Sequence, residues 1–394
     1  MANNRVASGL DVLITESFKS LRGRNIMLVC NQASIAADCK HAIDYFFAEH
    51  EAGKLTLKSL VGPQHGLWGH TQDNMIEWEG GGESEGIPIH SLYGRYRKPT
   101  PEMLEGVDTI VVDLQDVGAK YYTFIWTLAH CMEAAHGKDI EVVVPDRPNP
   151  IGGQVEGPAL NEDFRSFVGL YPLTIRHGLT IGEVALYLKN EIFQDSNLRI
   201  VKMQGYKPEM YFEETGLPWA MPSPNIPTVE SAVVYPGKCL IEATNLSEGR
   251  GTTRPFELFG APWFNTKDLL QALGAHNLPG LALRPLQFQP TFHKFAGEIC
   301  EGFFLHVTDR TTFKPFLTTI ALFREVRRLY PDKFRWNDPP YEYEYEKMPM
   351  DILSGNDWLR QAIDAGEDLL AMEERWQKEA ATFDPIRQAA RLYT

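Results

Sequence analysis

Apolar and polar positions alternate with two different periods along residues 25–203. Short apolar runs, typical of strands buried on both faces, recur at 25–30, 55–61, 87–94, 108–114, 140–146 and 198–203. Between them, apolar residues repeat at helical spacing at 41–50, 121–136 and 180–193. Continuous apolar strands that alternate with amphipathic helices form parallel sheets covered on both faces. The pattern therefore predicts an α/β domain built around a parallel sheet.

A proline-rich stretch at 217–237 interrupts this alternation. Because such a stretch breaks regular structure, we place a domain boundary near residue 230, between domains 1–230 and 231–394. Beyond it, the pattern predicts strands at 281–288 and 302–309 and helices at 267–275, 313–330 and 356–377. The second domain is expected to be a smaller α+β unit.

Length and charge narrow the class of function. The 394 residues exceed the size that a single hydrophobic core usually reaches, about 250–300 residues, which favours two domains. The formal net charge is −14 without a basic stripe, so the chain repels polyanions. No run reaches the ~18 apolar residues of a membrane span. We expect a small-molecule ligand and neither nucleic acid nor membrane as a partner, and the oligomeric state is left open.

The cysteines and the first residues bear on the compartment. The five cysteines are scattered and never spaced Cys-x-x-Cys, which favours reduced thiols over disulfides or a zinc site. The opening residues lack a basic stretch followed by an apolar one, so no secretion signal is expected. These observations favour a cytoplasmic protein.

Polar side chains follow the strands predicted in the first domain, at the point where each strand ends. In open parallel sheets, ligands bind outside the carboxyl ends of the strands. Because five strand ends share this feature, we expect a site at this edge of the sheet. Its candidate residues are Asn31, Gln64, His65, Tyr93, Asp113, Gln115, Asp116, Asp146, Arg147 and Asn149.

Three of these candidates illustrate the choice between a structural and a functional role. Asp146 precedes two prolines in Asp-Arg-Pro-Asn-Pro and could instead cap a turn. Asp113 ends an apolar strand, where an unpaired carboxylate is costly, so it is either paired with Arg147 or used in chemistry. His65 sits between glycines, which leaves its side chain free to turn toward a ligand.

Two further segments add candidates. His177 precedes a predicted helix start, where Thr180 and Glu183 have the spacing of a capping box, so Glu183 is expected to be structural. The segment 244–257 is the densest polar stretch of the second domain, and its glycines allow close backbone approach to a ligand. Its candidates for contact with a polar ligand are Asn245, Glu248, Arg250, Thr252, Thr253 and Arg254, with a solvated loop as the alternative.

The sequence lacks the common signatures of cofactor and nucleophile chemistry. There is no Gly-x-Gly-x-x-Gly after the first strand, no phosphate-binding loop, no His-Glu-x-x-His and no Gly-x-Ser-x-Gly. No cofactor is therefore expected. Carboxylates, amides, arginines and aromatic residues such as Tyr122 remain, an inventory that fits carbohydrate chemistry, in which two carboxyl groups serve as acid and as base or nucleophile.

An ordered series of segments resembles the NamZ-type exo-β-N-acetylmuramidase family from about residue 8 to the C-terminus. These segments are NQASI, GPQHGLWG, SLYGRYRKPT, DLQDVGAKYYTF, PDRPNPIGG, VEGP, RHGLTIGE, GLPW, PSPNIPT, YPG, EATNLSEGRGTTRPFE, PTFHKFAGEICEG and HVTDR. The resemblance implies an N-terminal Rossmann-like domain, a C-terminal auxiliary domain and an active site in the cleft between them. It also implies release of terminal β-linked N-acetylmuramic acid from peptidoglycan fragments.

Two positions depart from the family pattern, which reads Pro-Glu-His-Gly where this chain has Gln64 before His65, and which commonly has an arginine where this chain has Trp68. The resemblance makes that glutamate the leading catalytic candidate, and an amide cannot donate a proton in its place. We therefore expect another carboxyl group to act, either Glu77 or Glu79, together with Asp116. The tryptophan between the two glutamates could raise a neighbouring pKa by desolvation.

The resulting hypothesis is a glycosidase that acts on amino-sugar fragments. The expected substrate-binding residues are Asn31, Gln64, His65, Tyr93, Asp113, Gln115, Tyr122, Asp146, Arg147, Asn149, His177, Asn245, Glu248 and Arg250. A family member that binds carbohydrate without turnover is the main alternative. A metal-dependent hydrolase using His65, Asp113, Asp116 and Asp146 is a third interpretation, although no motif spacing supports it and no metal site is predicted.

Overall fold

The structure is a computed structural model, and it describes residues 5–73 and 75–394. The strands of the described residues are β1 (Asn25–Cys30), β2 (Thr56–Gly62), β3 (Glu83–Ser84), β4 (Ile87–Ser91), β5 (Thr109–Asp113), β6 (Glu141–Pro145), β7 (Glu156–Ala159), β8 (Thr174–Arg176), β9 (Leu198–Val201), β10 (Leu258–Ala261), β11 (Leu281–Phe288) and β12 (Cys300–Val307). The α-helices are α1 (Gly9–Thr15), α2 (Ala42–Glu51), α3 (Phe124–Ala135), α4 (Ile181–Glu191), α5 (Val229–Lys238), α6 (Thr266–Leu273), α7 (Pro315–Leu329), α8 (Pro349–Ser354), α9 (Trp358–Ala365) and α10 (Leu369–Ala389).

The central sheet has the order β3-β4-β2-β1-β5-β6-β9. All neighbouring strands are parallel except β3 and β4, which pair antiparallel. Without the short β3, this is the strand order of the doubly wound Rossmann fold. The predicted α/β class is therefore confirmed. The strand order reverses at the β1–β5 pair, and a crevice for ligands is expected above the carboxyl ends of these strands.

The second domain contains a three-stranded sheet of order β10-β12-β11, in which both pairs are antiparallel. The helices α6 and α7 accompany this sheet, so the predicted smaller α+β unit is confirmed as a fold class. The exact boundary near residue 230 stays a prediction, and it falls in the first turn of α5 (Val229–Lys238).

The structure differs from the predicted elements in several places, and no element was predicted for α1, α8 or β10. The helix predicted at 356–377 is two helices, α9 and α10, because Gly366 adopts a left-handed conformation with φ of 70° and ends the first. The hairpin of β7 and β8 was not predicted, since these strands are short. Helix α5 occupies the end of the proline-rich stretch and includes Pro236.

Helix α3 is almost completely buried in the core. Ten of the twelve residues in this helix are buried, because apolar side chains cover nearly its whole circumference. Its N-terminal end therefore presents Tyr121, Tyr122 and Thr123 at the carboxyl edge of the sheet. At the start of α4, Thr180 and Glu183 form the predicted capping box.

The C-terminal residues return to the first domain. The Leu392 amide donates to Glu183 at 2.9 Å, and the Tyr393 hydroxyl donates to Asp146 at 2.7 Å. The two domains are thus joined by hydrogen bonds as well as by the chain connection. Within residues 5–73 and 75–394, no helix is long and apolar enough to cross a membrane.

Candidate active site

The segment GPQHGLWG forms the turn that follows β2. The Trp78 ring lies against Gly62, where an added Cβ would come within 2.5 Å of the ring, so only glycine fits. The indole nitrogen of Trp78 also donates to the Pro63 carbonyl at 2.9 Å. His65 has a φ of 67°, a left-handed conformation that is uncommon for a residue other than glycine. These constraints hold the Gln64 and His65 side chains at the edge of the sheet.

A narrow pocket lies between this turn, the N-terminal end of α3 and the second domain. Its volume is about 30 Å³. The first domain and the segment before α5 contribute Gln64, His65, Tyr121, Tyr122, Thr123, Val168, Ser223, Asn225 and Ile226. Residues from α5 onward contribute Tyr235, Glu242, Arg250, Phe256, Tyr341 and Glu342.

Glu342 is the carboxyl group that meets the turn after β2. Its Oε1 accepts a hydrogen bond from Gln64 Nε2 at 3.1 Å, and its Oε2 accepts one from the Tyr93 hydroxyl at 2.9 Å. Burial raises the pKa of Glu342 to about 7, with a further contribution from Glu242, against the opposing effect of the two hydrogen bonds. A carboxyl group of this kind exchanges a proton near neutral pH.

The orientation of Gln64 is fixed by its two partners. Its Oε1 accepts from the Thr123 hydroxyl at 2.7 Å, so its amide nitrogen faces Glu342. Because the amide donates to Oε1 of Glu342, a proton on this carboxyl group resides on Oε2. The Tyr93 hydroxyl in turn accepts from the Met75 amide at 3.1 Å, which leaves its own proton for Glu342.

A second buried carboxyl group, Glu242, has a different environment. Its Oε1 accepts from Arg250 Nη2 at 2.7 Å, and its Oε2 accepts from the Tyr341 hydroxyl at 2.6 Å. Arg250 also lies 3.4 Å from Glu248. Burial acts to lower the pKa of Arg250, but Glu242 and Glu248 outweigh it and raise that pKa, so the guanidinium stays charged. Glu242 is therefore half of a charged pair.

Glu248 lies behind Arg250 and is fully buried. Lys294 is 3.0 Å and His293 is 3.3 Å from its carboxylate. Burial acts to raise the pKa of Glu248, but Lys294, His293 and Arg250 together hold it well below its ordinary value. This carboxylate stays ionised and supports Arg250 at the pocket wall.

His65 is a neutral ring in the pocket wall. Its Nδ1 lies 2.9 Å from the Thr71 carbonyl and must donate to it, because a carbonyl oxygen only accepts. Burial lowers the pKa of His65 to about 4, and Arg250 lowers it further against the effect of this hydrogen bond. The ring therefore presents Nε2 as an acceptor at neutral pH.

Six of the predicted site residues belong to the pocket or contact its lining. Gln64, His65, Tyr122 and Arg250 line the pocket. Tyr93 and Glu248 contact residues that line it, through Glu342 and Arg250 respectively.

The other strand-end candidates form a structural network beside the pocket. Arg147 binds Asp113 with two hydrogen bonds of 2.5 and 2.8 Å, which confirms the paired alternative for that carboxylate. Each oxygen of Asp113 accepts one of these bonds, and the side chain is fully buried. The amides of Asn31, Gln115 and Asn149 donate to the backbone carbonyls of Pro222, Pro148 and Leu179 at 2.9, 2.9 and 3.0 Å.

Asp146 directly follows β6 and accepts hydrogen bonds from three parts of the chain. It accepts hydrogen bonds from the Arg147 and Gly182 amides and from the Thr180 and Tyr393 hydroxyls. Burial raises its pKa to about 7 despite these donors. These contacts agree with the alternative in which Asp146 caps a turn. A ligand role for Asp146 stays a prediction.

Asp116 and His177 face each other in the interior, with 3.2 Å between Oδ2 and Nε2. The Leu179 amide donates to His177 Nδ1 at 3.2 Å, so the neutral ring carries its proton on Nε2, toward Asp116. The Gly118 amide donates to Asp116 Oδ2 at 2.7 Å. Neither side chain lines the pocket, and their predicted roles remain untested.

The remaining candidates lie at the surface. Glu77 and Glu79 are exposed on either side of Trp78, and neither lines the pocket. Asn245 bonds to the Lys333 carbonyl and the Arg335 amide in the second domain, away from the pocket. In the part of the chain that the structure describes, no group of three or more His, Cys, Asp and Glu side chains is placed to hold a metal ion.

Sequence reasoning missed Glu242, Tyr341 and Glu342. Glu342 has a φ of 44° and Tyr343 a φ of 67°, in a segment with neither helical nor strand periodicity. The signal that marks the segment is its composition, Tyr-Glu repeated three times at 341–346 after two prolines. Tyrosines beside glutamates supply both apolar cover and hydroxyl donors for a buried carboxyl group.

The fold and the pocket define a two-domain α/β protein with a narrow pocket between a Rossmann-like sheet and an auxiliary domain. The chain belongs to the NamZ family: residues 26–230 match the N-terminal domain and residues 233–393 the C-terminal domain of exo-β-N-acetylmuramidase NamZ. The predicted family resemblance is confirmed.

Individual relatives agree with this assignment. The chain is 41% identical to the peptidoglycan β-N-acetylmuramidase NamZ of Bacillus subtilis strain 168 over 390 residues, which cover 99% of this chain and 92% of that protein. Two crystal structures of DUF1343 family proteins from Bacteroides fragilis NCTC 9343 are similar to it. One has a TM-score of 0.88 at 33% identity over all of both chains, and the other 0.75 at 25% identity over 99% of both.

Proposed function

We propose that this protein is an exo-acting glycosidase that releases terminal β-linked N-acetylmuramic acid, or a related amino sugar, from peptidoglycan fragments. The single observation that carries the proposal is the pocket between the domains, which holds two buried carboxyl groups in unlike environments. Glu242 is paired with Arg250, whereas Glu342 meets only neutral donors from Gln64 and Tyr93. Glycosidases need one carboxyl group protonated and one ionised.

The shape and lining of the pocket support a terminal sugar as the substrate. A narrow pocket enclosed by two domains accommodates the end of a glycan more readily than its interior. Tyr122, Tyr235 and Phe256 offer ring faces and edges for the apolar face of a sugar, and Ser223 and Asn225 offer hydrogen-bonding groups for its hydroxyls. The activity in the name of the Bacillus subtilis relative agrees with this substrate class.

The test is incubation of the purified protein with a chromogenic β-N-acetylmuramide beside the corresponding N-acetylglucosaminide. We expect release from the muramide and little from the glucosaminide. Equal release from both would contradict the specificity for the lactyl-bearing sugar. A parallel reaction with chelator addresses the metal-dependent alternative, which requires loss of activity when the metal is removed.

A second candidate function is carbohydrate binding without turnover, and Gln64 is the observation that favours it. The family resemblance implies a glutamate at this position, and the amide of Gln64 cannot transfer a proton in its place. This candidate predicts saturable binding of muramic acid in calorimetry and no product at high protein concentration. Product formation by the parent protein would exclude it.

We also propose that the protein works in the cytoplasm on small carbohydrate fragments, without nucleic acid or membrane partners. All five cysteines are free, and four of them are buried, as is usual for proteins of reducing compartments. Cell fractionation with an antibody against the chain tests this, and recovery outside the cytoplasm would contradict it.

A further inference from the structure

We infer that Glu342, contributed by the second domain, is the proton donor of this chain. The inference rests on the proposed glycosidase function. It assigns a catalytic role to a residue outside the sheet edge and makes Gln64 a positioning residue.

The first argument is location. Glu342 Oε1 is 3.1 Å from Gln64 Nε2, so a carboxyl group lies one hydrogen bond from the substituted position. A proton held on Glu342 is therefore available in the same part of the pocket as one held at position 64. The side chain of Glu342 lines the pocket, as a donor to a bound sugar must.

The second argument is the environment of the carboxyl group. Charged and titratable groups around Glu342 are Tyr93 from the first domain and Glu242, Arg250, Tyr341 and Tyr343 from the second. Arg250 favours the ionised form, but it is paired with Glu242, which opposes it. Burial prevails, and Glu342 can carry a proton near neutral pH and release it on demand.

The third argument is backbone conformation. Glu342 and Tyr343 both adopt left-handed φ values, 44° and 67°, which residues with a Cβ rarely adopt. The two residues form the tip of a tight turn that is closed by two hydrogen bonds of 2.9 Å between the amide and carbonyl groups of Tyr341 and Glu344, and such a turn requires left-handed φ values at both central positions. Here the conformation directs the Glu342 side chain into the pocket.

The proton transfer follows from these contacts. The proton on Oε2 passes to the glycosidic oxygen as the bond from that oxygen to the anomeric carbon breaks, and the bonding electron pair stays with the leaving oxygen. Gln64 and Tyr93 then donate hydrogen bonds to the Glu342 carboxylate. Water supplies hydroxide to the anomeric carbon and a proton to Glu342, which restores the starting state.

The other carboxyl groups are poor donors. Glu242 accepts a hydrogen bond from Arg250 on one oxygen and from the Tyr341 hydroxyl on the other, so both oxygens already face protein donors. Glu77 and Glu79 are exposed, and Asp116 does not line the pocket. Among the described residues, Glu342 is thus the pocket carboxyl group suited to donate.

The test compares Glu342→Gln with the parent on two muramides, one with an aryl leaving group of low pKa and one with a sugar leaving group. We expect kcat/KM on the sugar substrate to fall by about 10²- to 10⁴-fold, the usual contribution of general acid catalysis. The loss on the aryl substrate should be at least about tenfold smaller, because that group leaves without full protonation. The fall of activity above about pH 7 should also disappear.

The matched control is Glu346→Gln, a neutralised glutamate four residues along the same segment with an exposed side chain. It should keep the parental rates and pH profile. The double variant Gln64→Glu with Glu342→Gln should regain at least about tenfold over Glu342→Gln alone, since it returns a carboxyl group to the other end of the same hydrogen bond.

Two results separate the proposals. A parent protein that hydrolyses neither muramide overturns the proposed function itself. An active parent whose Glu342→Gln variant loses the same factor on both substrates and keeps the alkaline fall overturns only the role of Glu342. If Glu342→Gln does not fold, Tyr93→Phe answers the question: removal of this donor should move the alkaline fall to higher pH, and an unmoved profile contradicts the inference.

Discussion

Asp146 and Glu342 are both buried carboxyl groups, and burial raises the pKa of each to about 7. They differ in what surrounds them. Asp146 receives four hydrogen bonds from the protein and lies outside the pocket between the domains, whereas Glu342 receives two and lines it. A raised pKa therefore shows that a carboxyl group is buried. A carboxyl group that reacts with a ligand must also line the pocket and have oxygen lone pairs that the protein does not already use.

Mutation of the buried network that contains Asp113, Arg147 and Asp146 should lower the free energy of unfolding. Asp113→Ala leaves Arg147 as a buried charge without its carboxylate, which should lower the free energy of unfolding by about 3–5 kcal/mol. Urea denaturation measures this, and the exposed Asp195→Ala, expected within about 0.5 kcal/mol of the parent, is the control. The kcat of the folded fraction should stay within about threefold. A large loss of kcat at unchanged stability would instead place Asp113 in the chemistry.

The raised pKa of Glu342 should affect the pH dependence of the free energy of unfolding. The folded-state pKa of Glu342, about 7, exceeds its ordinary value, so the fold binds a proton that the unfolded chain releases. This contribution is present at low pH and is lost as pH rises through about 7. Between pH 5 and pH 8, Glu342→Gln should remove about 2 kcal/mol of the decline, since a tenfold difference in proton affinity corresponds to about 1.4 kcal/mol. An identical decline in parent and variant would contradict the raised pKa.

The contact between Tyr393 and Asp146 should have a smaller effect. Tyr393→Phe removes one hydrogen bond to a buried carboxylate, which should lower the free energy of unfolding by about 1.5–2 kcal/mol at pH 8. The loss should shrink at pH 5, because a protonated Asp146 is a weaker acceptor. Thermal unfolding at the two pH values measures it. A larger loss at pH 5 than at pH 8 would show that the hydroxyl does not stabilise the ionised form.

The smallest effect is expected for Gln64→Glu in the otherwise unchanged protein. A second carboxyl group 3 Å from Glu342 makes the pair share a proton, which raises the pKa at which the proton is lost. The alkaline fall of kcat/KM should move up by about one pH unit, with activity at pH 6 within about tenfold of the parent. A shift to lower pH would mean that the two groups do not interact.

The fold could be predicted from the sequence because each of the six parallel strands lies in a short apolar run. Such a run is recognised from neighbouring residues alone. The edge of the sheet was predictable for the same reason, and Gln64 and His65 were found through it. Glu342 was missed because it reaches the pocket from an irregular segment, where no periodicity reports which side chains face inward. The pairing of Asp113 with Arg147 could be anticipated as one of two outcomes, since a carboxylate at the end of an apolar strand needs compensation.

The hydrogen bond between Gln64 and Glu342 joins residues 278 positions apart, one in each family domain. Selection acting on the two halves of the gene is therefore coupled. A carboxyl group held by one half relaxes the requirement for it in the other, so substitutions at these two positions should be accepted together rather than singly. A chimaera could combine the two domains of relatives that carry the carboxyl group in different domains. Such a chimaera would have a carboxyl group at both positions or at neither, and it would fold normally yet differ in activity.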